Sequence, residues 1–314
     1  MTNNFYDNSE TIDLKLREIV VEGEIENTGI SDLKDFPIHS VIVKETILDS
    51  SGTDRFVGAY RYDGYSLFDI LNTRIVKKDS SNKFSPVIDM YIEIENEAGE
   101  KVVFSWGEIY YPNNLHKIII ASNVSRIVPS KSKNLWIMPE TSKLVAGNDL
   151  ITERNISGPV KITVRSIKRS FTEIRGISPL YSSEFSLFDG GKKSGTISYS
   201  NEKEIVTYNT IFYGRGKGIH STMPFNGLLL KDIIRKYFPL TAVNLKSGMF
   251  CISGKDGYHC AVSYSELFNR NDQQEFLLVR TETDVDGGLY RLFPASDFFS
   301  DRAIKSLTEI HLEN

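Results

Sequence analysis

The stretch FNGLLLKDIIRKYFPLTAVNLKSGMFCISGKDGYHCAVSYSELF, residues 225–268, decides how this chain reads, because a fainter version of it occurs earlier at 63–110. Gly64, Leu67, Asp69 and Ile70 fall on Gly227, Leu230, Asp232 and Ile233, all 163 positions apart. After a slip of five, Gly99, Ser105, Glu108 and Ile109 fall on Gly257, Ser263, Glu266 and Leu267, now 158 apart. Further on, Glu153, Arg154, Ile156 and Ile162 fall on Asp301, Arg302, Ile304 and Ile310 at a separation of 148. Matches kept in order across three offsets mark an internal duplication. A chain of 314 residues has room for about two domains. We therefore expect one repeat unit over 1–170 and a second over 171–314, with the junction in the aperiodic stretch Ser170 to Gly195.

Local patterns give each unit the same order of events. Alternation at Ile12, Leu14 and Leu16, then Ile19 and Val21, predicts one or two strands, and the β-branched run Val41 to Val43 predicts another before the turn-rich Asp49 to Asp54. A helix is expected from Ser66, a natural cap, with Asp69 in its first turn. Leu230, Ile233, Ile234 and Tyr237 repeat that helix with fuller i, i+3, i+4, i+7 spacing before Pro239, which predicts the better helix of the two. Hairpins are expected around Gly99 and Gly257, each followed by SxxE, a capping box at Ser105–Glu108 and Ser263–Glu266. Val160 to Val164 and Thr308 to Leu312 close the units as alternating strands. The fold class expected is α+β: two tandem mixed-sheet units with few short helices.

Composition excludes several classes of function. Lys and Arg number 37 against 41 Asp and Glu, a net charge of −4, so no excess positive field favours nucleic acid. Nothing approaches the roughly 18 consecutive apolar residues of a membrane span, and Met1 to Glu10 has no basic and apolar leader. As written the chain reads as cytoplasmic, although a protein trimmed of a leader would read the same way. No protein partner is named by the residues.

Two cysteines, Cys251 and Cys260, are too few for a disulfide scaffold or a multi-thiolate zinc site. A two-residue turn at Lys255 and Asp256 would set them opposite one another and permit a cross-strand disulfide; as buried free thiols they would act as small apolar side chains.

The second unit resembles the molybdopterin-binding oxidoreductase domain of the sulfite-oxidase type. The likeness rests on Gly227, Leu230, Asp232, Ile233 and Ile234, on the strand–turn–strand of Phe250 to Phe268 with Asp256, Gly257 and Tyr258 at its turn, and on Gly288 to Pro294 and Asp301 to Leu312. It spans most of 200–314 and, more faintly, 37–165. Catalytic members of that family give a cysteine thiolate to molybdenum from the segment before the glycine-led helix. Here that segment is Glu204 to Asn226, or Val41 to Asp63 in the first unit, and neither contains cysteine. Without a soft thiolate the metal would lack its protein anchor. The resemblance therefore implies a non-catalytic derivative that binds a small anionic ligand or a partner, or alternatively an oxidoreductase holding molybdopterin through its phosphate.

The candidate binding residues are Arg215, Lys217, His220, Asp256, Tyr258 and Arg291. The loop Tyr213 to His220 alternates glycines that let successive amides converge on an anion, with Arg215 and Lys217 adding charge; the competing reading is an ordinary connecting loop. Arg291 is set apart by Trp136 standing at the matching position of the first unit, 155 residues earlier. Arg154 and Arg302 recur in both units, which favours a structural task such as gripping a carboxylate. His259 with His220 could join a metal or nucleophilic site, but no recognised ligand spacing supports it. His39, His116 and His311 are scattered. Trp106, Trp136, Phe293, Phe298 and Phe299 could stack on a heterocycle, with core packing the plainer role.

Overall fold

The computed structural model describes residues 10–128, 135–198, 205–216, 218–280 and 287–314. Strand accounts for 46% and helix for 14%, with four small sheets set in a ring, a propeller-like arrangement. This corrects the α+β class and the sulfite-oxidase-type fold expected with it. The physical reason lies in helix length. The helices α1 (Leu67–Asn72), α2 (Trp106–Tyr110), α3 (Leu230–Ile234), α4 (Ala242–Ser247) and α5 (Tyr264–Phe268) have at most six residues each. Such pieces are too short to be stable alone and serve as corners between strands.

One five-stranded sheet has the order β3 (Gly29–Ser31), β2 (Ile19–Gly23), β10 (Pro159–Ser166), β6 (Met90–Asn96), β7 (Lys101–Ser105). Its counterpart runs β12 (Lys192–Ile197), β11 (Phe185–Asp189), β21 (Leu307–Glu313), β17 (Met249–Gly254), β18 (His259–Ser263). In each, one parallel pair, β2 with β10 or β11 with β21, sits among antiparallel neighbours. A third sheet joins β4 (Ile38–Leu48), β5 (Asp54–Ser66) and β8 (Ile118–Arg126), with β1 (Ile12–Asp13) and β9 (Lys143–Ala146) both on β8. The fourth has β13 (Val206–Tyr208), β16 (Phe225–Leu229), β19 (Phe276–Arg280) and β20 (Tyr290–Pro294). A small hairpin, β14 (Phe212–Gly214) and β15 (Gly218–Ser221), stands apart.

The offsets found in the sequence recur in the ladders residue by residue. Ile162 pairs with Ile94, and Ile310, 148 later, pairs with Ile252, 158 later. Gly64 faces Ala121 as Gly227 faces Val279; Ala146 faces Ile118 as Pro294 faces Phe276. The largest buried cluster fills the second half but takes in Phe84, Ile88, Tyr111 and Ile151 from the first, so the two halves share a core.

Several local expectations need correction. The second-unit helix is not the better one: α3 gives way after Ile234 to a 3-10 turn, Arg235–Tyr237, and its cap position is Leu229, which offers no side-chain acceptor, whereas Ser66 accepts the Asp69 amide. Both SxxE serines do cap, but only Ser105 makes the full reciprocal box; Glu266 gives its carboxylate to Arg302 and Ser105 instead. Part of the stretch assigned to the junction is a sheet member, since β11 and β12 form a hairpin turning at Gly190 and Gly191, where φ is positive. The counterpart of Arg291 is Lys143 rather than Trp136: Arg291 pairs with Val279 as Lys143 pairs with Ala121.

The cysteines also differ from the two-residue-turn geometry. Gly254 bonds back to Tyr258, leaving Lys255, Asp256 and Gly257 as a three-residue connection with Gly257 at φ +80. The added residue shifts register by one, so Cys251 faces Ala261 and Ile252 faces Cys260. A one-residue slip sends the side chains to opposite faces of the sheet. Both thiols are buried and free.

Candidate functional site

A cleft of about 480 Å³ is walled by three segments that sequence periodicity does not join: Lys83–Pro86, Glu173–Leu180, and the turn residues Asp256 and Tyr258. Each wall is tied down by a neighbour. Lys78, almost buried, donates from Nζ to the carbonyls of Phe84 and Pro86 and to Asp89 Oδ1, at 2.6, 3.0 and 2.6 Å. Asp89 is fully buried and also accepts from Asn82. One buried carboxylate thus fixes the loop that carries Lys83.

The second wall lies along the hairpin turn. The Ile174 amide donates to the Asp256 carbonyl at 2.9 Å, and Lys255 Nζ donates to the Tyr181 carbonyl at 2.7 Å. Gly257 has positive φ, and a Cβ there would stand 2.4 Å from the Thr172 carbonyl oxygen, so only glycine lets this strap approach. Phe84 lies against both Tyr258 and His259, at ring-centre distances of 5.6 and 3.9 Å. His259 is buried and donates from Nδ1 to the Gly257 carbonyl at 2.8 Å. Burial among Phe84 and Phe171 pushes its pKa down and keeps the imidazole neutral.

The charged groups of the cleft are of both signs. Lys83, Arg175 and Glu173 are exposed at its rim, and Asp256 accepts the Tyr258 amide through Oδ1 at 3.1 Å. Neither Lys83 nor Arg175 forms an ion pair among the described residues.

Of the residues singled out in the sequence, Asp256 and Tyr258 line this cleft. Arg215 stands behind it: its guanidinium meets the Asp301 carboxylate at 2.8 Å and the Tyr111 hydroxyl at 3.1 Å, while the Tyr258 hydroxyl donates to the Asp301 carbonyl. Burial pushes the Tyr111 phenol up to about 12, so it remains a neutral donor and acceptor. His220 is elsewhere, on β15 against Phe212 and Gly214. Arg291 lies on β20 with its guanidinium over Gly287. Lys217 falls outside the described residues. His39 and His116, patternless in the sequence, stack face to face beside Asp69.

A molybdopterin would ask for phosphate-gripping cations and a sulfur ligand. Arg215 is already met by a carboxylate, and burial pushes both thiols up, Cys260 to about 12. Arg215 and the two thiols therefore do not offer those groups, and Lys217, the other cation named for the phosphate, lies outside the described residues. Trp106 stacks on Tyr110, and Trp136 donates its indole N–H to the Ala59 carbonyl, both consistent with packing.

No helix among the described residues is long and apolar enough to cross a membrane. No protein-family model and no curated protein matches this sequence.

Proposed function

We infer that the protein binds a small molecule carrying an anionic group in the cleft between Lys83–Pro86, Glu173–Leu180 and the Asp256–Tyr258 turn, without turning it over. The observation that carries this reading is the pair Lys83 and Arg175, cations at the rim of one cleft with no carboxylate partner of their own. The volume lies within the few hundred to 1,000 Å³ common for small-molecule sites. Glu173 and Asp256 would meet a cationic end of the same ligand, and Tyr258 supplies an aromatic wall.

A thermal-shift screen of phosphorylated, carboxylated and zwitterionic small molecules tests this, because a ligand that binds only the folded state raises its melting point. At least one compound should stabilise the wild type and lose its effect in the Lys83→Ala/Arg175→Ala double variant. No response to any compound, or an equal response in the double variant, would overturn the reading and leave a protein-docking surface as the better account.

A further inference from the structure

We propose that His39, Asp69 and His116 form a binding site for a first-row divalent metal ion of the zinc type, outside the cleft and independent of it. His39 comes from the edge strand β4, Asp69 from the first turn of α1, and His116 from the connection between α2 and β8. Their candidate ligand atoms all lie within 4.8 Å of one another. His39 Nε2 is 2.8 Å and His116 Nδ1 is 3.6 Å from the same oxygen, Asp69 Oδ2. The two imidazoles are stacked with centres 3.9 Å apart and planes within 4°. Each ring turns a nitrogen toward the same carboxylate oxygen, and tilting the two parallel planes toward one another would aim both in-plane lone pairs, with the anionic oxygen, at a shared ion. Zinc bonds imidazole nitrogen and carboxylate oxygen at about 2.0–2.2 Å, a shell that these three side chains reach by tilting the two rings out of their stack.

The surroundings hold the carboxylate in place. Ser66, fully buried, donates its hydroxyl to Asp69 Oδ2 at 2.6 Å and accepts the Asp69 amide at 3.1 Å, so helix cap and ligand orientation are one device. Phe68 lies edge-on to the His116 ring at 5.6 Å. His116 Nδ1 lies 3.2 Å from the Ser66 hydroxyl, and because that hydroxyl gives its proton to Asp69, Nδ1–H donates to it; a bound metal ion would displace this proton. The three side chains are between 17 and 36% exposed, which leaves a coordination position open to water. Two nitrogens and one oxygen suit zinc, cobalt or nickel better than magnesium or calcium, which prefer all-oxygen shells.

The repeat supplies an internal control. His39 faces Gly64 in its ladder as Val206 faces Gly227, and His116 corresponds to Gln274 at the 158 separation. Asp69 corresponds to Asp232, and Ser66 to Leu229. The second unit thus keeps the carboxylate and none of the other donors. Packing inherited by both halves does not account for two histidines present in one.

Equilibrium dialysis of chelator-stripped full-length protein against zinc, with magnesium as comparison, tests the site. Wild type and Asp232→Asn should each retain one zinc per chain and no magnesium. His39→Ala, His116→Ala and Asp69→Asn should each weaken zinc binding more than about tenfold, since loss of a mere outer-shell partner already costs 10- to 100-fold. Asp69→Asn keeps an acceptor for Ser66, and circular dichroism in the presence of chelator separates loss of metal from loss of fold. Cobalt substitution should give visible ligand-field bands that vanish in His116→Ala. Zinc uptake unchanged in all three variants, or absent from a folded wild type, would overturn the assignment.

Discussion

Arg154 and Arg302 each reach into the opposite half of the molecule. Arg154 Nη1 donates to Ser263 Oγ at 3.2 Å, and Arg302 Nη1 donates to Ser105 Oγ at 3.3 Å, each serine being the cap of the other half's helix. Within its own half each arginine spans two carboxylates, Glu108 and Asp149 for Arg154, Glu266 and Asp297 for Arg302. Both guanidiniums are buried. The bridges Asp149 to Arg270 and Pro112 to Asp297 repeat the reciprocity along the backbone, Arg270 being Pro112 displaced by 158. Two copies of one unit are locked by the exchange of one contact.

Replacing one of these arginines leaves two buried carboxylates without a cation. Arg302→Met should cost about 3–5 kcal/mol in chemical denaturation, the usual penalty for breaking a buried pair from one side. Arg154→Met should cost a similar amount, because its partners correspond one for one.

Gly107 lies directly beneath Arg302, and a Cβ there would stand 2.2 Å from the guanidinium carbon. Gly107→Ala should therefore destabilise by about 1–3 kcal/mol, measured as the denaturation midpoint, since the displaced guanidinium cannot keep its bidentate bonds. The corresponding second-unit position is Ser265, whose hydroxyl bonds the Leu245 carbonyl, so that half already tolerates a Cβ.

His259 yields a pH dependence. Burial first, only partly offset by its bond to the Gly257 carbonyl, depresses its folded-state pKa below that of a free imidazole. Between the folded and unfolded values the unfolded chain binds the extra proton, so stability rises with pH through that window and falls as pH drops below about 6.5. Urea midpoints from pH 7.5 to 5 should show that loss, and His259→Leu should flatten it.

Cys251 and Cys260 should remain reduced thiols. Facing opposite sides of one sheet, they cannot bridge, and both are buried with raised pKa. A thiol reagent should find about two reactive groups in denatured protein, even after air oxidation, and essentially none in native protein.

Much of this architecture was legible where short-range chemistry decides it. The glycine at the third position of each hairpin loop, the capping serines and the recurring arginines all carry local signals, and they gave the offsets that the ladders repeat. The class differs because the apolar i, i+3, i+4, i+7 pattern over Leu230 to Tyr237 cannot tell one helical turn from a lasting helix, and Leu229 fails as a cap. The wall Glu173–Leu180 has no periodicity to read. His39, Asp69 and His116 lie far apart in sequence, and the ladders of β4 and β8 on either side of β5 bring them together; Gln274 at the 158 offset from His116 was the one signal available in the sequence.

Hydrogen exchange of the amides, with and without the most stabilising compound from the ligand screen, tests the cleft most directly. The account predicts slower exchange in three separate segments at once, around Lys83–Pro86, Glu173–Leu180 and Asp256–Tyr258, with the His220 hairpin unchanged. Protection confined to the β14–β15 hairpin, or absent from all three walls, would contradict it.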